Sequence, residues 1–435
     1  MKIYGWGRYP VEDAEVYAPL TTADIQEYLT QKKHTGITPR GLGRSYGDSS
    51  LGNHVVSTHW LDHLVAFDDA AGLIRCNSGV TLDKLLEVIV PRGWFLPVTP
   101  GTRFVTVGGA VASDVHGKNH HLSGCFCDHV ESMAILVDAE RIIRCSRAEH
   151  ADLFHATCGG MGLTGIILSV SFRLKPVKSA FIEQTTFKAQ NLEEVLNLFE
   201  TYSGCTYSVA WIDCISGGRD LGRSLIITGE HSDHGGLNTK GSSNLGFPFD
   251  MPGQLLNRYS VKVFNALYYH RARSRQASRQ VHYAPFFYPL DSVSNWNRMY
   301  GKNGFTQYQF VVPKDAGIEG LSKMLKIIAD SGRGSFLAVL KVLGKQNDNL
   351  LSFPTEGYTL ALDFKIEPGL FELLDTLDSM VLDYGGRLYL TKDARMSTAT
   401  FQKGYPATES FQAVRESYGT KGTFVSHQSK RLGLD

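Results

Sequence analysis

Three glycine clusters fall before residue 166, and they constrain this chain more than any other feature. The first is Arg40-Gly41-Leu42-Gly43-Arg44-Ser45-Tyr46-Gly47-Asp48. The second runs from Pro100-Gly101-Thr102-Arg103 through Thr106-Val107-Gly108-Gly109 to Ser113-Asp114-Val115-His116-Gly117-Lys118-Asn119-His120-His121. The third is Gly159-Gly160-Met161-Gly162-Leu163-Thr164-Gly165. Glycine lets backbone N–H groups turn toward one point and approach a ligand closely, which suits a pyrophosphate. A single cluster would mark a structural turn equally well; three, interleaved with hydroxyls and basic groups, favour a ligand site. Gly160, Gly162 and Gly165 form a G-x-G-x-x-G, but a dinucleotide-binding turn needs a strand before it and a helix after it. An alternating strand follows instead, so the Rossmann reading is rejected. No Gly-Lys-Ser/Thr ending accompanies any cluster, which disfavours a nucleotide hydrolase.

The periodicities predict an α+β chain. Thr81 caps a helix with Leu82, Leu85, Leu86 and Ile89 on one face, stopped near Gly93. Phe95 to Val98 reads as a strand. Ile166, Leu168, Val170, Phe172 and Leu174 alternate with more polar neighbours as a half-buried strand that Pro176 ends. Beyond 177, helices carrying Leu192/Val195/Leu196/Phe199, Ile318/Leu321/Leu325/Ile328 and Leu370/Leu373/Leu374/Leu377/Val381 alternate with strands at Gln307 to Val312, Ser335 to Leu340, Tyr358 to Ile366 and Arg387 to Leu390. That pattern predicts a sheet with helices on one face. Gly217 to Gly253, rich in Gly, Ser, Asn and Asp, reads as a long mobile loop of the kind that often serves as a lid.

Charge excludes some functions. Lys plus Arg is 44 and Asp plus Glu is 43 over 435 residues, so nothing points to nucleic acid. Seven scattered cysteines are not a disulfide framework, and Cys125-Phe126-Cys127 lacks zinc spacing, so no metal is expected. The N-terminus has no apolar signal-peptide segment and no run is long enough to span a membrane, so the expected compartment is the cytoplasm. Residues 251 to 290 contain no acid but hold Arg258, Lys262, Arg271, Arg273, Arg275 and Arg279, with Leu255, Tyr259, Val263 and Leu267 recurring every four residues. Such a helix either approaches an anionic surface, a peripheral membrane contact among them, or an anionic ligand, or it docks with a solvated basic face.

The clusters, together with Trp296-Asn297-Arg298, Gln307-Tyr308-Gln309-Phe310, Gly386-Arg387-Leu388-Tyr389 and Lys392-Asp393, resemble the vanillyl-alcohol oxidase/p-cresol methylhydroxylase superfamily of FAD enzymes. Within it they are most similar to the decaprenylphosphoryl-β-D-ribose 2′-oxidase family. The resemblance implies a two-domain vanillyl-alcohol-oxidase-type fold: an FAD-binding domain (1–176), an inserted antiparallel-sheet substrate domain (177–386) and a C-terminal segment (387–435) returning to the first. It assigns Arg40, Gly41, Leu42, Gly43, Arg44, Ser45, Tyr46, Gly47, Asp48, Gly101, Thr106, Val107, Gly108, Gly109, Ser113, Asp114, His116, Ile167 and Tyr389 to FAD. His116 and Lys392 would sit beside the flavin and the sugar, and Gln309, Lys341 and Trp211 on the substrate side. Arg44 stands where many superfamily members carry the histidine bonded to flavin, so FAD would be non-covalent. Ala361, Thr359 and Phe287 stand where close relatives often have Cys, Asn and Tyr.

The implied reaction is oxidation of C2′ of a polyprenyl-phosphoryl pentose, with a separate NAD-dependent short-chain reductase completing an epimerisation. Either His116 or Lys392 could be the base, and Lys392 could instead serve as a fixed cation beside the reduced cofactor. Two other readings stand beside this one: a soluble sugar or aldonolactone oxidase, which would act on substrates lacking the lipid, and a flavin-binding protein without turnover. His120 and His121 are adjacent and would diverge on regular structure, so they read as structural.

Overall fold

A computed structural model describes residues 1–32, 35–239, 245–247 and 249–435. The chain mixes helices with sheets, and among the described residues the largest sheet is an eight-stranded antiparallel one. In spatial order its strands are Gln276–His282, Phe181–Ala189, Ser224–His231, Tyr207–Ile212, Ala338–Leu343, Gly357–Lys365, Phe305–Val312 and Arg387–Leu388. Successive side chains on a strand point to opposite faces, and this sheet uses the rule consistently. Tyr308, Phe310 and Val312, Ala338 and Leu340, and Leu360, Leu362 and Phe364 enter one apolar core. Three helices cover that face: Leu192–Thr201, Gly317–Ser331 and Leu370–Asp383, contributing Val195, Phe199, Leu321, Leu325, Leu374 and Leu377. The intervening residues Trp211, Gln307, Gln309, Val339, Lys341 and Ala361 line a cavity on the other face.

The glycine-rich part of the chain builds two smaller sheets. A five-stranded antiparallel sheet places Ile166–Arg173 between Val130–Leu136 and Leu73–Asn77. A three-stranded parallel sheet joins Glu15–Tyr17, His54–Ser57 and Thr38–Arg40. The helix Leu82–Ile89 starts where expected, with Thr81 Oγ1 accepting from Lys84 N at 3.1 Å. A short 3₁₀ turn follows and ends at Gly93, whose φ of 80° is open to glycine at little cost. The third glycine cluster lies between the helix Ala151–Thr157 and the strand Ile166–Arg173, the reverse of a Rossmann turn.

The C-terminal tail closes on the start of the chain. Val425 N donates to Ile37 O at 2.9 Å, and Arg431 pairs with Asp48 at 2.7 Å and Asp393 at 2.8 Å. The tail's first residues nonetheless belong to the large sheet, since Leu388 pairs with Phe310.

Two expectations from the sequence need correction. The 217–253 segment is not one long loop: Ser224–His231 is an interior strand of the large sheet, paired with Phe181–Ala189 on one side and Tyr207–Ile212 on the other. The run Leu225-Ile226-Ile227 drives this, because its apolar surface outweighs the polar composition of the wider window. Residues 240–244 and 248 of that segment lie outside the described residues. The strand read at Phe95 to Val98 is only Trp94–Phe95, paired with Lys175–Pro176.

Candidate active site

Between the glycine loops and the uncovered face of the large sheet lies a cavity of about 1160 Å³. That is more space than a typical drug-sized ligand occupies. One part of its wall consists of Arg40 through Tyr46, Gly101, Thr106, Gly108, Gly109, Ser113, Gly162 and Ile167. The need for glycine is plain at Gly41: a Cβ there would lie 2.3 Å from Thr106 Oγ1, so two loops could not meet. Arg44 places its guanidinium 4.2 Å from the Trp6 ring centroid, and Tyr389 donates to Ser113 O at 2.9 Å while stacking on Phe353.

Four residues assigned to the cofactor by resemblance do not line this cavity. Gly47 packs against the backbone of Asp393, where any Cβ would collide with its carbonyl oxygen. Asp48 is held by Arg431. Val107 is buried in the core beneath the loop. Asp114 is a buried hub: its carboxylate accepts from Cys127 N at 3.1 Å, Asn347 at 2.9 Å, Asn349 at 2.8 Å and Ser352 at 2.7 Å. These residues position the loops. Arg40 does line the cavity, but its guanidinium donates to Ser50 and to Tyr4 O. His120 and His121 are structural, bonded to Gly344 N and Cys205 O.

The opposite wall concentrates positive charge. Lys118, Lys341 and Lys392 all line the cavity, and none forms an ion pair among the described residues. Burial lowers all three: Lys341 to about 8, Lys118 to about 7 with Lys341 adding repulsion, and Lys392 to about 7, where burial outweighs the attraction of Asp363. Lys392 Nζ sits 4.0 Å from the Tyr46 ring centroid. Lys118 Nζ donates to the carbonyls of Phe286 at 2.9 Å and Phe287 at 3.2 Å. Among the described residues, Arg40, Arg44, Lys118, Arg271, Arg279, Lys341 and Lys392 line the cavity against the single carboxylate of Asp291. Cations partly withdrawn from water without an ion pair are costly unless an anion joins them, so this lining suits an anionic occupant.

His116 is buried at the junction of the two walls. Its Nε2 lies 3.1 Å from Gln309 Nε2, and the same amide nitrogen lies 3.2 Å from Thr359 Oγ1. Thr359 gives its own proton to Phe310 O at 2.7 Å, so it must accept from Gln309. The amide nitrogen therefore also faces His116, whose Nε2 accepts and whose Nδ1 carries the proton. Burial, then Lys341, His120 and Lys392, push the imidazole well below its ordinary pKa and keep it neutral. Nδ1 has no partner among the described residues. A buried donor without an acceptor loses its hydration for nothing in return, which again fits an occupant that supplies one.

Behind this lining lies the fully buried Asp363, which, like Lys118, was not among the residues expected at the site. Its carboxylate accepts from Gln307 Nε2 at 2.6 Å and Tyr300 OH at 3.4 Å, and burial raises it to about 7. Trp211 Nε1 donates to Phe336 O at 3.0 Å, which fixes the indole in the cavity wall.

Residues 14–146 match the FAD binding domain family. Across the whole chain, the protein is 36% identical to decaprenylphosphoryl-β-D-ribose oxidase of Mycolicibacterium smegmatis, covering 97% of that enzyme. The chain belongs to the decaprenylphosphoryl-β-D-ribose oxidase family. It is an oxidoreductase of the FAD-dependent, sugar-alcohol-oxidising class, and FAD is its cofactor. Two further relatives match in part: 26% identity to D-lactate dehydrogenase of Anaerostipes hadrus over 45% of this chain and 42% of that one, and 23% to L-gulonolactone oxidase of Scyliorhinus torazame over 45% and 44%. The glycine-lined wall and the unpaired His116 donor fit FAD. No helix among the described residues is long and apolar enough to cross a membrane.

Proposed function

We propose that the protein oxidises the C2′ hydroxyl of a polyprenyl-phosphoryl pentose to a 2-keto sugar, within a two-domain fold of the vanillyl-alcohol-oxidase type. A separate NAD-dependent short-chain reductase would then reduce the ketone to the epimer. The observation that carries this reading is the pair of half-buried lysines, Lys118 and Lys341, beside Lys392 in a cavity whose described lining holds one acid, Asp291. A neutral sugar or lactone gives such a cluster nothing to neutralise, whereas a phosphodiester does.

The residues divide the work. When bound, FAD supplies the acceptor for the carbon-bound hydrogen. Lys392 is the base: with its pKa near 7 it is substantially neutral at working pH and can take the hydroxyl proton. His116 cannot readily do so, because its accepting nitrogen is already engaged by Gln309 and its other nitrogen is protonated. It acts as a fixed donor. Lys341 and Lys118 hold the phosphate. Ala361, on the strand beside Gln309, leaves a smaller wall than Cys would, Thr359 lies behind the lining where it accepts from Gln309, and Phe287 contributes ring surface without a hydroxyl. Arg44 cannot bond to flavin as a histidine would, so the cofactor is held non-covalently.

Anaerobic reduction of the bound flavin by a panel of sugars tests the reading. Polyprenyl-phosphoryl pentose should bleach the flavin far faster than free pentose or aldonolactone, with a product two mass units lighter. Equal bleaching by free sugars would replace this reading with that of a soluble sugar oxidase. Acid precipitation of the same preparation should leave the yellow colour in the supernatant.

A further inference from the structure

The helix Arg258–His270 carries its apolar stripe on the wrong side for a docked helix. Its packed face is Val261, Asn265 and Tyr269. Asn265 Nδ2 donates to Asp213 at 2.9 Å, and Tyr269 OH to Ala189 O at 3.1 Å, fixing the helix's rotation. Tyr259, Val263 and Leu267 therefore face away from the protein, with exposures of 79%, 60% and 69%. Isolated exposed apolar residues are ordinary, but a contiguous run at helical spacing marks an interaction surface.

Charge identifies what it meets. Arg258 and Lys262 lie on the same helix, Arg273 follows it, and none of the three forms an ion pair among the described residues. No acid occurs from 251 to 290. A symmetric contact between two copies would set these cations against one another, so a second copy is a poor occupant, whereas anionic headgroups around inserted side chains satisfy both features. Position gives the contact a purpose. Phe264 and Arg271 are exposed and also line the cavity, so they belong to its rim.

We propose that this helix seats the mouth of the cavity on an anionic lipid bilayer, with Tyr259, Val263 and Leu267 inserted at the headgroup level and Lys262 and Arg273 among the phosphates. A lipid-borne substrate could then enter without crossing water. The inference stands on the helix surface and is tested without substrate, so it can fail while the substrate assignment holds.

The experiment is co-sedimentation of the FAD-loaded enzyme with phosphatidylglycerol and with phosphatidylcholine vesicles, at low and high salt. The expected result is binding to phosphatidylglycerol that weakens with salt. Lys262→Gln with Arg273→Gln should reduce partition about 30-fold, and Tyr259→Ser, Val263→Ser and Leu267→Ser together by on the order of 10²-fold. Unchanged FAD content and unchanged oxidation of a short-chain soluble substrate show that the variants are folded. Absence of wild-type binding at low salt, or binding by both variants equal to wild type, overturns the proposal. So does a dimer in sedimentation velocity that the triple-serine variant abolishes, which would make the stripe a protein interface.

Discussion

On the strand Phe305–Val312, Tyr308, Phe310 and Val312 enter an apolar core beneath three helices, while Gln307 and Gln309 face the cavity. The same division runs through Ala338–Leu343, where Ala338 and Leu340 oppose Val339 and Lys341, and through Gly357–Lys365, where Leu360, Leu362 and Phe364 oppose Thr359, Ala361 and Asp363. One face is apolar and contiguous. The other carries a half-buried lysine, a buried carboxylate and a buried amide, and the lysine has no ion pair among the described residues. Burial alone therefore does not distinguish a core from a site; the distinction lies in whether the polar groups have partners. The helix-covered face stabilises the fold, and the cavity face lowers its stability in return for binding and catalysis.

The sharpest break in the comparison comes from the cavity side. Lys392→Ala should leave a folded, FAD-loaded protein but slow single-turnover flavin reduction by about 10² to 10⁴-fold. An unchanged rate removes Lys392 from the chemistry. On the other face, Phe310→Ala should cost about 3–5 kcal/mol of stability in a denaturant titration, while each molecule that remains folded and flavin-loaded turns over as wild type does. A selective loss of rate without loss of stability would mean that the two faces are not separable.

Lys341→Met reverses the pattern. The substitution keeps an unbranched apolar stem and removes a half-buried cation that has no ion pair among the described residues. The folded-state pKa of Lys341, about 8, lies below the ordinary lysine value, so its charge opposes folding. That penalty is full below about pH 8 and fades as pH rises toward the unfolded value. The variant should melt at the same or a higher temperature at pH 7, and the KM for the lipid phosphate should rise by about 10 to 100-fold. A fall in melting temperature would show that Lys341 is structural.

Much of this was legible in the sequence because alternation and capping are local. Thr81 and the period-two runs predicted their elements, and the glycine clusters marked a ligand-lined wall. The failures were of two kinds. Averaging over 217–253 concealed Leu225-Ile226-Ile227, and no local pattern showed that Gly47, Asp48, Val107 and Asp114, which the motif resemblance gave to the cofactor, lie outside the cavity lining and tie loops and tail together across long sequence separations. Asp363 and Lys118 did have signals. Asp363 is a carboxylate at an alternate position of an apolar strand, and Lys118 stands two residues from His116 inside a glycine cluster. Neither signal says which distant residues surround it, because that depends on tertiary packing.

The smallest expected effect is also the most discriminating. Burial lowers Lys392 to about 7; Asp363 opposes this shift and Lys341 adds to it. If neutral Lys392 takes the proton, the rate of flavin reduction should rise with pH through a midpoint near 7. Asp363→Asn removes the carboxylate that stabilises the ammonium, so the midpoint should move to lower pH, by about one unit. Lys341→Met removes a repelling cation, so its midpoint should move to higher pH. Asp363 titrates in the same range, and the wild-type curve belongs to the pair. The opposed directions of the two variants therefore carry the assignment, more than the wild-type midpoint does. A shift in the same direction for both variants would mean that Lys392 is not the titrating group. Loss of activity in Asp363→Asn at every pH would move the base from Lys392 to Asp363, and with it the catalytic centre of the cavity face onto the sheet itself.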